Sequence, residues 1–234
     1  MSESSQTVLV VGASRGIGLA LVEQLAATAG TRTLGTVRTA SSELAGRLPN
    51  VTFLPLDISS EESVAAAAAS VPELDILIVN AGMGSRDPVT TTSTEKLATY
   101  LDVNVLGPHR VLRAFLPALR KGKSKKIAFI SSSSGSLEIQ ATPTSIGLAG
   151  CYGTSKTALN MLMVQASNEL NRAGEGFAVI SIHPGWVATD MGNAHGPGGM
   201  PPADSARQML ELIGKVDTSK SGAFYRFDGE KMPW

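Results

Sequence analysis

The segment Val8-Leu-Val-Val-Gly12-Ala-Ser-Arg-Gly16-Ile-Gly18 joins a short apolar run to the start of a helical pattern. A short apolar run followed by glycines predicts a buried strand that ends in a tight turn. Glycines let a backbone approach a pyrophosphate, and the N-terminus of the next helix favours its negative charge. The segment therefore predicts a dinucleotide-binding turn. The alternative is a glycine turn that packs helix on strand without a ligand.

Short apolar runs alternate with helical segments along the rest of the chain. The predicted strands cover residues 8–11, 33–37, 51–54, 74–79, 127–130 and 177–182, and the predicted helices cover residues 16–29, 61–70, 94–120 and 153–173. Strands separated by helices favour a parallel sheet that is covered on both faces. The 234 residues contain no linker or repeat, so we expect one domain over 1–234. Its predicted class is α/β, a Rossmann-like doubly wound parallel sheet in three layers.

The composition narrows the choice of partner. Lys and Arg total 20, as do Asp and Glu, so nothing favours nucleic acid. No apolar run approaches the ~18 residues that span a bilayer, and no signal-peptide pattern is present, so a soluble, cytoplasmic protein without a membrane partner is predicted. Cys151 is the only cysteine, and no metal site is predicted. We therefore expect a small-molecule partner.

The residue after the second predicted strand indicates which dinucleotide the turn would bind. An NAD site is expected to have an acid there to hold the adenosine ribose, but this chain has Arg38. Arg38 and Arg15 can clamp a 2′-phosphate between them, which predicts NADP(H) rather than NAD(H). The alternative is a pair of solvated surface arginines.

The stretch Tyr152-Gly-Thr-Ser-Lys156 places a phenol and an ammonium group one helical turn apart. At an effective dielectric constant of ~20, the attraction between phenolate and ammonium is about 3 kcal/mol. Such an attraction lowers the phenol pKa from its usual value near ~10. We therefore expect Tyr152 to exchange a proton near neutral pH, as a catalytic acid or base must.

Together these motifs resemble those of short-chain dehydrogenases/reductases over nearly the full length of the chain. Beside the glycine turn, the resemblance includes Asp57 in Leu56-Asp-Ile58, Asn80-Ala-Gly82, Asn104 in Val103-Asn-Val105, the serines before Gly135, Tyr152 with Lys156, and Pro184-Gly185 before Thr189. The C-terminal half is similar to the C-factor/sniffer-like branch, which itself resembles carbonyl reductases. That similarity includes Ser155-Lys-Thr-Ala-Leu-Asn160, His183-Pro-Gly-Trp-Val-Ala-Thr-Asp-Met191 and Asp228-Gly-Glu-Lys-Met-Pro-Trp234.

The resemblance implies a role for each matching residue. Tyr152 would be the proton donor, Lys156 would lower its pKa and bond the nicotinamide ribose, and Asn104 would hold a relay water. Ser132, with Ser133 as the alternative, would orient the substrate carbonyl. The implied cofactor-binding residues are Gly12, Ser14, Arg15, Gly16, Ile17, Gly18, Arg38, Asp57, Ile58, Asn80, Ala81, Gly82, Tyr152, Lys156, Pro184, Gly185, Val187 and Thr189.

The resemblance also implies an activity: hydride transfer from NADPH to the carbonyl of a ketone or aldehyde, giving an alcohol. One alternative is alcohol oxidation with NADP⁺, and another is a non-catalytic dinucleotide-binding protein of the same fold. The two long predicted helices, 94–120 and 153–173, resemble a pair that often joins subunits in the family. A homodimer or homotetramer is therefore expected.

Two stretches rich in Ser, Thr, Gly or Pro, 131–150 and 192–202, follow predicted strands and are candidate substrate loops. The apolar residues in and beside these loops favour a hydrophobic or aromatic carbonyl substrate. These residues are Leu137, Ile139, Ile146, Leu148, Met191 and Met200. The segment 192–202 has four glycines and three prolines, which disfavour a stable helix or central strand. We expect it to be a mobile lid over the substrate.

Overall fold

Seven parallel strands form one sheet in the computed structural model, which describes residues 6–142, 150–194 and 196–234. The strands are β1 (Gln6–Val11), β2 (Thr31–Val37), β3 (Val51–Pro55), β4 (Ile76–Val79), β5 (Lys126–Ile130), β6 (Ala178–His183) and β7 (Ala223–Arg226). Their order across the sheet is β3-β2-β1-β4-β5-β6-β7, and every neighbouring pair is parallel. The order reverses between β1 and β4, where open α/β sheets bind their ligands.

Helices cover both faces of the sheet. They are α1 (Gly16–Ala26), α2 (Ser42–Arg47), α3 (Glu61–Ala69), α4 (Thr94–Leu101), α5 (Gly107–Lys121), α6 (Leu137–Gln140), α7 (Gly150–Arg172), α8 (Asp190–Asn193) and α9 (Pro202–Lys215). A π-helical turn, Asp102–Leu106, joins α4 to α5, and short 3₁₀ turns cover Ser133–Gly135 and Thr218–Lys220.

Two hydrophobic cores lie on opposite faces of the sheet. Leu9 and Phe129 belong to the core shared with α3, α5 and α7. Val10 and Ile78 belong to the core shared with α1 and α9. Successive strand residues point to opposite faces, so Leu9 and Val10 enter different cores and the strands are apolar throughout. These layers confirm the predicted Rossmann-like doubly wound fold as a single domain.

The prediction of one continuous helix over residues 94–120 is wrong. α4 ends at Leu101, and the π-helical turn precedes α5, which begins at Gly107. Pro108 has no N–H to donate to the carbonyl of Asn104 four residues earlier, so a regular α-helical ladder cannot continue there. Asn104 lies inside this turn and is 0% exposed. The interruption therefore coincides with a candidate site residue.

The sequence prediction also missed β7 and α9. β7 has only four residues at the edge of the sheet, too few for a clear alternating pattern. α9 begins at Pro202, which the prediction assigned to the Gly/Pro-rich loop. Proline fits the first helical position, where its missing N–H would have no helical partner. Helix α7 also begins three residues before its predicted start, at Gly150.

Candidate active site

Close backbone contacts shape the glycine turn between β1 and α1. Gly12 has a φ of +85°, and a Cβ there would lie 2.8 Å from the Cα of Ala81. A Cβ on Gly18 would lie 1.9 Å from the carbonyl oxygen of Gly12. That carbonyl accepts a 2.8 Å hydrogen bond from Asn80 Nδ2. Both positions therefore require glycine, and the turn packs directly against the residues that follow β4.

The N-terminus of α1 opens at this turn. Arg15 is the N-cap residue of α1, but its side chain makes no capping hydrogen bond. The first turn of α1, which the structure describes in full, contains no acidic residue. The N–H groups at the start of an α-helix lack helical partners and carry partial positive charge. Gly16 has a φ of +55°, and a Cβ there would lie 3.0 Å from Cγ2 of Thr189. This narrow turn, with glycine at three of its positions, fits the pyrophosphate of a dinucleotide. Ser14 is exposed and Ile17 is partly buried beside it.

The expected adenosine-binding residues lie at the ends of β2 and β3. Arg38 is exposed directly after β2. The carboxylate of Asp57 accepts a 2.9 Å hydrogen bond from the Ser59 N–H, and its own N–H donates to Ser63 Oγ at 2.9 Å. Ile58 is buried beneath this turn. These contacts fix the backbone around Asp57, and the Arg38 side chain lies at the surface.

Arg15 has a partner that the sequence did not predict. Its Nη1 atom lies 2.5 Å from Oδ2 of Asp190, at the start of α8, and both side chains are largely exposed. The ion pair joins the glycine turn to the segment that carries Thr189 and Met191. An exposed pair of this kind is held weakly, so Arg15 remains able to exchange partners.

The segment after β6 runs along the glycine turn. The carbonyl of Pro184 accepts a 2.7 Å hydrogen bond from Ser205 Oγ. Gly185 has a φ of +83°, and a Cβ there would lie 2.8 Å from the ring of Phe227. Val187 is buried and forms a β-bridge with Met200. Thr189 caps α8 by accepting a 3.1 Å hydrogen bond from the Gly192 N–H. Thr189 is the residue of this segment that meets the start of α1, at Gly16.

Gly82 connects the cofactor-binding turn to the candidate catalytic residues. A Cβ on Gly82 would lie 3.1 Å from Oδ1 of Asn104 and 3.5 Å from Nζ of Lys156. Asn104 Oδ1 accepts a 2.9 Å hydrogen bond from the Met83 N–H, and Nδ2 donates to the Met83 carbonyl at 2.8 Å and to Ser155 Oγ at 2.9 Å. The Asn104 side chain thus fastens the loop after β4 to α7.

Tyr152, on α7, and Ser132, which follows β5, form a second pair of candidate catalytic residues. The Ser132 side chain is hydrogen-bonded to the Tyr152 hydroxyl. Ser132 also caps the 3₁₀ turn Ser133–Gly135 by accepting a 3.1 Å hydrogen bond from the Ser134 N–H. A Cβ on Gly135 would lie 2.8 Å from the carbonyl carbon of Lys156, so this turn packs tightly on α7. Of the two candidate serines, Ser132 is the one that bonds to Tyr152.

Lys156 lies beneath the Tyr152 ring. Its Nζ atom is 5.7 Å from the ring centroid and donates a 2.8 Å hydrogen bond to the Ile130 carbonyl at the end of β5. The residue is 4% exposed. The i, i+4 spacing on α7 therefore brings the two side chains together as predicted, but the carbonyl takes one of the three donors of the ammonium group.

The expectation that Lys156 brings the Tyr152 pKa near neutrality is wrong. Burial raises the Tyr152 pKa to about 12, and the hydrogen bond from Ser132 only partly opposes that effect. Burial also lowers the Lys156 pKa to about 8. Desolvation destabilises the charged form of each group, and it is the largest cause of both shifts. At pH 7 Tyr152 is consequently a protonated phenol, and Lys156 is largely charged.

The apolar residues of the predicted substrate loops differ in their exposure and contacts. A Cβ on Gly84 would lie 3.0 Å from both the Met191 sulfur and the Tyr152 ring, so both side chains lie beside Gly84. Leu137 is 67% exposed, Ile139 is partly buried, and Met200 bridges to Val187. Ile146 and Leu148 lie outside the described residues. Within 192–202 the structure shows the end of α8 and the bridge at Met200, and α9 begins at its last residue.

Sequence reasoning missed two contributors to the site. Ser155 donates a 2.7 Å hydrogen bond to the Tyr152 carbonyl while it accepts from Asn104, so it links the two residues. Gly84 leaves space for the edge of the Tyr152 ring. In the sequence, Ser155 lies between Tyr152 and Lys156, and Gly84 lies two residues after Asn80-Ala-Gly82. The sequence alone does not separate Ser155 and Gly84 from the residues beside them, because their roles depend on three-dimensional contacts.

Among the described residues, no group of three or more His, Cys, Asp or Glu side chains has the arrangement of a metal site. No helix in the same residues combines the length and apolarity needed to cross a membrane.

Comparison with known proteins places this geometry in a family. The model of the short chain dehydrogenase family matches residues 6–198. The C-signal protein of Myxococcus xanthus is 39% identical over 163 residues, which cover 69% of this chain and 93% of that protein. The structure of NADPH-bound carbonyl reductase from chicken fatty liver has a TM-score of 0.88 at 31% identity and covers 98% of this chain and 99% of that chain. The carbonyl reductase Sniffer of D. melanogaster has a TM-score of 0.87 at 27% identity, with the same coverage.

The chain belongs to the short-chain dehydrogenase/reductase family of oxidoreductases. The resemblance to its C-factor/sniffer-like branch is also confirmed, since both the C-signal protein and Sniffer are among its relatives.

Proposed function

We propose that the protein reduces the carbonyl of a ketone or aldehyde to an alcohol, with NADPH as the hydride source. The observation that carries the proposal is the grouping of the Tyr152 phenol with Ser132, to which it is hydrogen-bonded, and with Lys156, whose Nζ atom lies 5.7 Å from the centroid of the Tyr152 ring. Reduction of a carbonyl needs a proton donor at the oxygen and a second hydrogen-bonding group that fixes the same oxygen. Tyr152 and Ser132 supply these two functions from adjacent positions.

The backbone around the glycine turn supports a dinucleotide cofactor. Gly12 and Gly18 leave no room for side chains, and the open N-terminus of α1 favours an anion. Arg15 in the glycine turn and Arg38 after β2 are both exposed and could pair with a 2′-phosphate, and the structural relative from chicken liver contains NADPH. When bound, the nicotinamide would supply the hydride. Asp57, Asn80 and Thr189 would hold the remainder of the nucleotide.

The chain's own residues would handle the proton. Tyr152 would donate its phenolic proton to the carbonyl oxygen, while Ser132 donates its single hydroxyl hydrogen to the same oxygen. Lys156, charged below a pH of about 8, would stabilise the resulting Tyr152 phenolate from beneath the ring. Asn104 would fix the relative positions of the β4 loop and α7 through Met83 and Ser155.

The surroundings favour an apolar substrate. Met191 contacts the catalytic region through Gly84. Leu137 presents an exposed apolar side chain on α6, and Trp186 is 46% exposed beside the 192–202 segment. Burial of such surface against a substrate contributes roughly 25 cal/mol per Å². A hydrophobic or aromatic ketone or aldehyde is therefore the proposed substrate class.

The test is a coupled measurement of cofactor and product. Purified protein is mixed with NADPH or NADH and a panel of aromatic, aliphatic and charged carbonyl compounds. NADPH absorbance is followed, and the alcohol is identified by chromatography. We expect one alcohol per NADPH consumed, with aromatic ketones or aldehydes the best substrates and NADH the poorer cofactor. Tight NADPH binding with no turnover across the panel would instead favour a non-catalytic dinucleotide-binding protein.

A further inference from the structure

The loop between β4 and α4 touches the catalytic helix at two points. A Cβ on Gly84 would lie 3.0 Å from the Tyr152 ring. Three residues further on, the Asp87 carbonyl accepts a 3.2 Å hydrogen bond from the Cys151 N–H in the first turn of α7. The contact is tight, since a Cβ on Gly150 would lie 1.8 Å from that carbonyl oxygen. The loop therefore contacts both the ring of Tyr152 and the backbone immediately before it.

The Asp87 side chain fixes the shape of this loop. Its carboxylate accepts hydrogen bonds from Tyr100 at 2.6 Å, from Lys96 at 2.7 Å and from Ser85. Tyr100, 0% exposed on α4, also lies 2.7 Å from Ser85 Oγ. We refer to Ser85, Asp87, Lys96 and Tyr100 as the Asp87 cluster. Because the Asp87 carboxylate is bonded to Lys96 and Tyr100 on α4, the cluster fixes the position of the loop that contacts α7.

The charge state of the cluster is stable around neutral pH. The hydrogen bonds from Lys96, Ser85 and Tyr100 lower the Asp87 pKa to about 2. Burial and the bond to Asp87 raise the Tyr100 pKa, so Tyr100 remains a protonated donor. Tyr100 also contributes to the raised Tyr152 pKa, which shows that the two phenols lie within electrostatic reach of each other. Asp87 thus stays a carboxylate that accepts from fixed donors.

We propose that Asp87 is a positioning residue for Tyr152. Its carboxylate holds the loop against α4, and its carbonyl holds the start of α7, so that the Tyr152 hydroxyl stays on Ser132. Asp87 itself does not reach the proposed substrate oxygen. This inference rests on the proposed function, because it assigns the effect of Asp87 to the proton-donating step.

A double-mutant cycle separates this role from a general loss of stability. Asp87→Asn keeps the size of the side chain but removes its charge. A misplacement of about 1 Å can cost ~100-fold in rate, so we expect kcat to fall about 10- to 100-fold while the Kd for NADPH changes less than about 2-fold. In the Tyr152→Phe background the same substitution should change the residual rate less than about 2-fold, because the group that Asp87 positions is already missing.

Asp217→Asn is the matched control. Asp217 is an exposed aspartate that caps a short 3₁₀ turn by accepting from the Ser219 N–H at 2.9 Å, far along the chain from the loop. It should leave kcat unchanged. Tyr100→Phe, which keeps the ring and removes one donor to Asp87, tests the same idea if Asp87→Asn does not fold. An equal loss in the wild-type and Tyr152→Phe backgrounds, or an unchanged kcat in the first variant that folds, would overturn the proposal.

Amide hydrogen exchange gives a readout that does not need turnover. The Cys151 amide should exchange at least about 10-fold faster in Asp87→Asn than in the wild type, while amides in the middle of α7 stay unchanged. Equal protection of Cys151 in the two proteins would contradict the positioning role. If the wild type reduces no carbonyl compound, the proposed function fails, and the exchange result still decides whether Asp87 holds the start of α7.

Discussion

Replacing Ser132 by alanine should slow carbonyl reduction far more than replacing Ser133. The Ser132 side chain is hydrogen-bonded to the Tyr152 hydroxyl, and this bond lowers the pKa that burial raises. A hydrogen bond to a group that becomes charged contributes about 1.5–3 kcal/mol. Losing that contribution in the transition state corresponds to a decrease of roughly 10- to 150-fold in kcat.

The assay compares Ser132→Ala, Ser132→Thr and Ser133→Ala by steady-state NADPH oxidation and by direct measurement of NADPH affinity. Ser132→Thr retains a hydroxyl and should recover part of the lost rate. Ser133→Ala is the matched control, at the first residue of the 3₁₀ turn that Ser132 caps, and should stay within about 3-fold of the wild type, as substitutions away from key contacts usually do. Equal effects of the two alanine substitutions on kcat would refute the assignment of Ser132. So would a loss that appears only in the Kd for NADPH.

Three further predictions concern the cofactor, the pH dependence and the assembly. Arg38→Asp should raise the Kd for NADPH at least about 10-fold, because a charge-assisted contact is lost, and should leave the Kd for NADH nearly unchanged. The control Arg32→Asp, at the other end of β2, should change neither Kd. Equal affinity of the wild type for NADPH and NADH in a fluorescence titration would contradict the role of Arg38. Lys156 loses its proton as the pH rises through its pKa of about 8, whereas Tyr152 keeps its proton up to a pKa of about 12. The kcat/KM for the carbonyl compound should therefore fall above about pH 8. A kcat/KM that stays constant up to about pH 10 would argue against a charged Lys156. Leu106, just before α5, and Met161, on α7, are exposed apolar side chains on the helices expected to join subunits. Light scattering should therefore show a homodimer or homotetramer at micromolar concentration. A single monomeric species would contradict this prediction.

The strand pattern and the glycine turn made the fold predictable from the sequence. Six of the seven strands appeared as short apolar runs because both faces of a parallel sheet are buried. β7 could not be recognised, since Ala223-Phe-Tyr-Arg226 has only four residues and half of them are partly exposed. The break between α4 and α5 was missed because the apolar residues continue through it, although Pro108 carried a usable signal.

The candidate site was predictable in its residues but not in its electrostatics. The spacing of Tyr152 and Lys156 correctly placed the two side chains together, since i and i+4 share a helical face. It could not show that Lys156 would bond to the Ile130 carbonyl or that burial would dominate both pKa values. The contacts of Arg15 with Asp190 and of Asp87 with α4 join residues far apart in the sequence or on separate elements, so they too required the fold.

The most direct test of the account is the effect of Tyr152→Phe on hydride transfer. The substitution keeps the ring and removes only the hydroxyl, so the Kd for NADPH should change less than about 2-fold and the fold should persist. A general acid typically contributes a factor of ~10²–10⁴, and single-turnover oxidation of bound NADPH by a saturating aromatic ketone should slow by that amount. A variant that retains more than about a tenth of the wild-type rate would show that Tyr152 is not the proton donor.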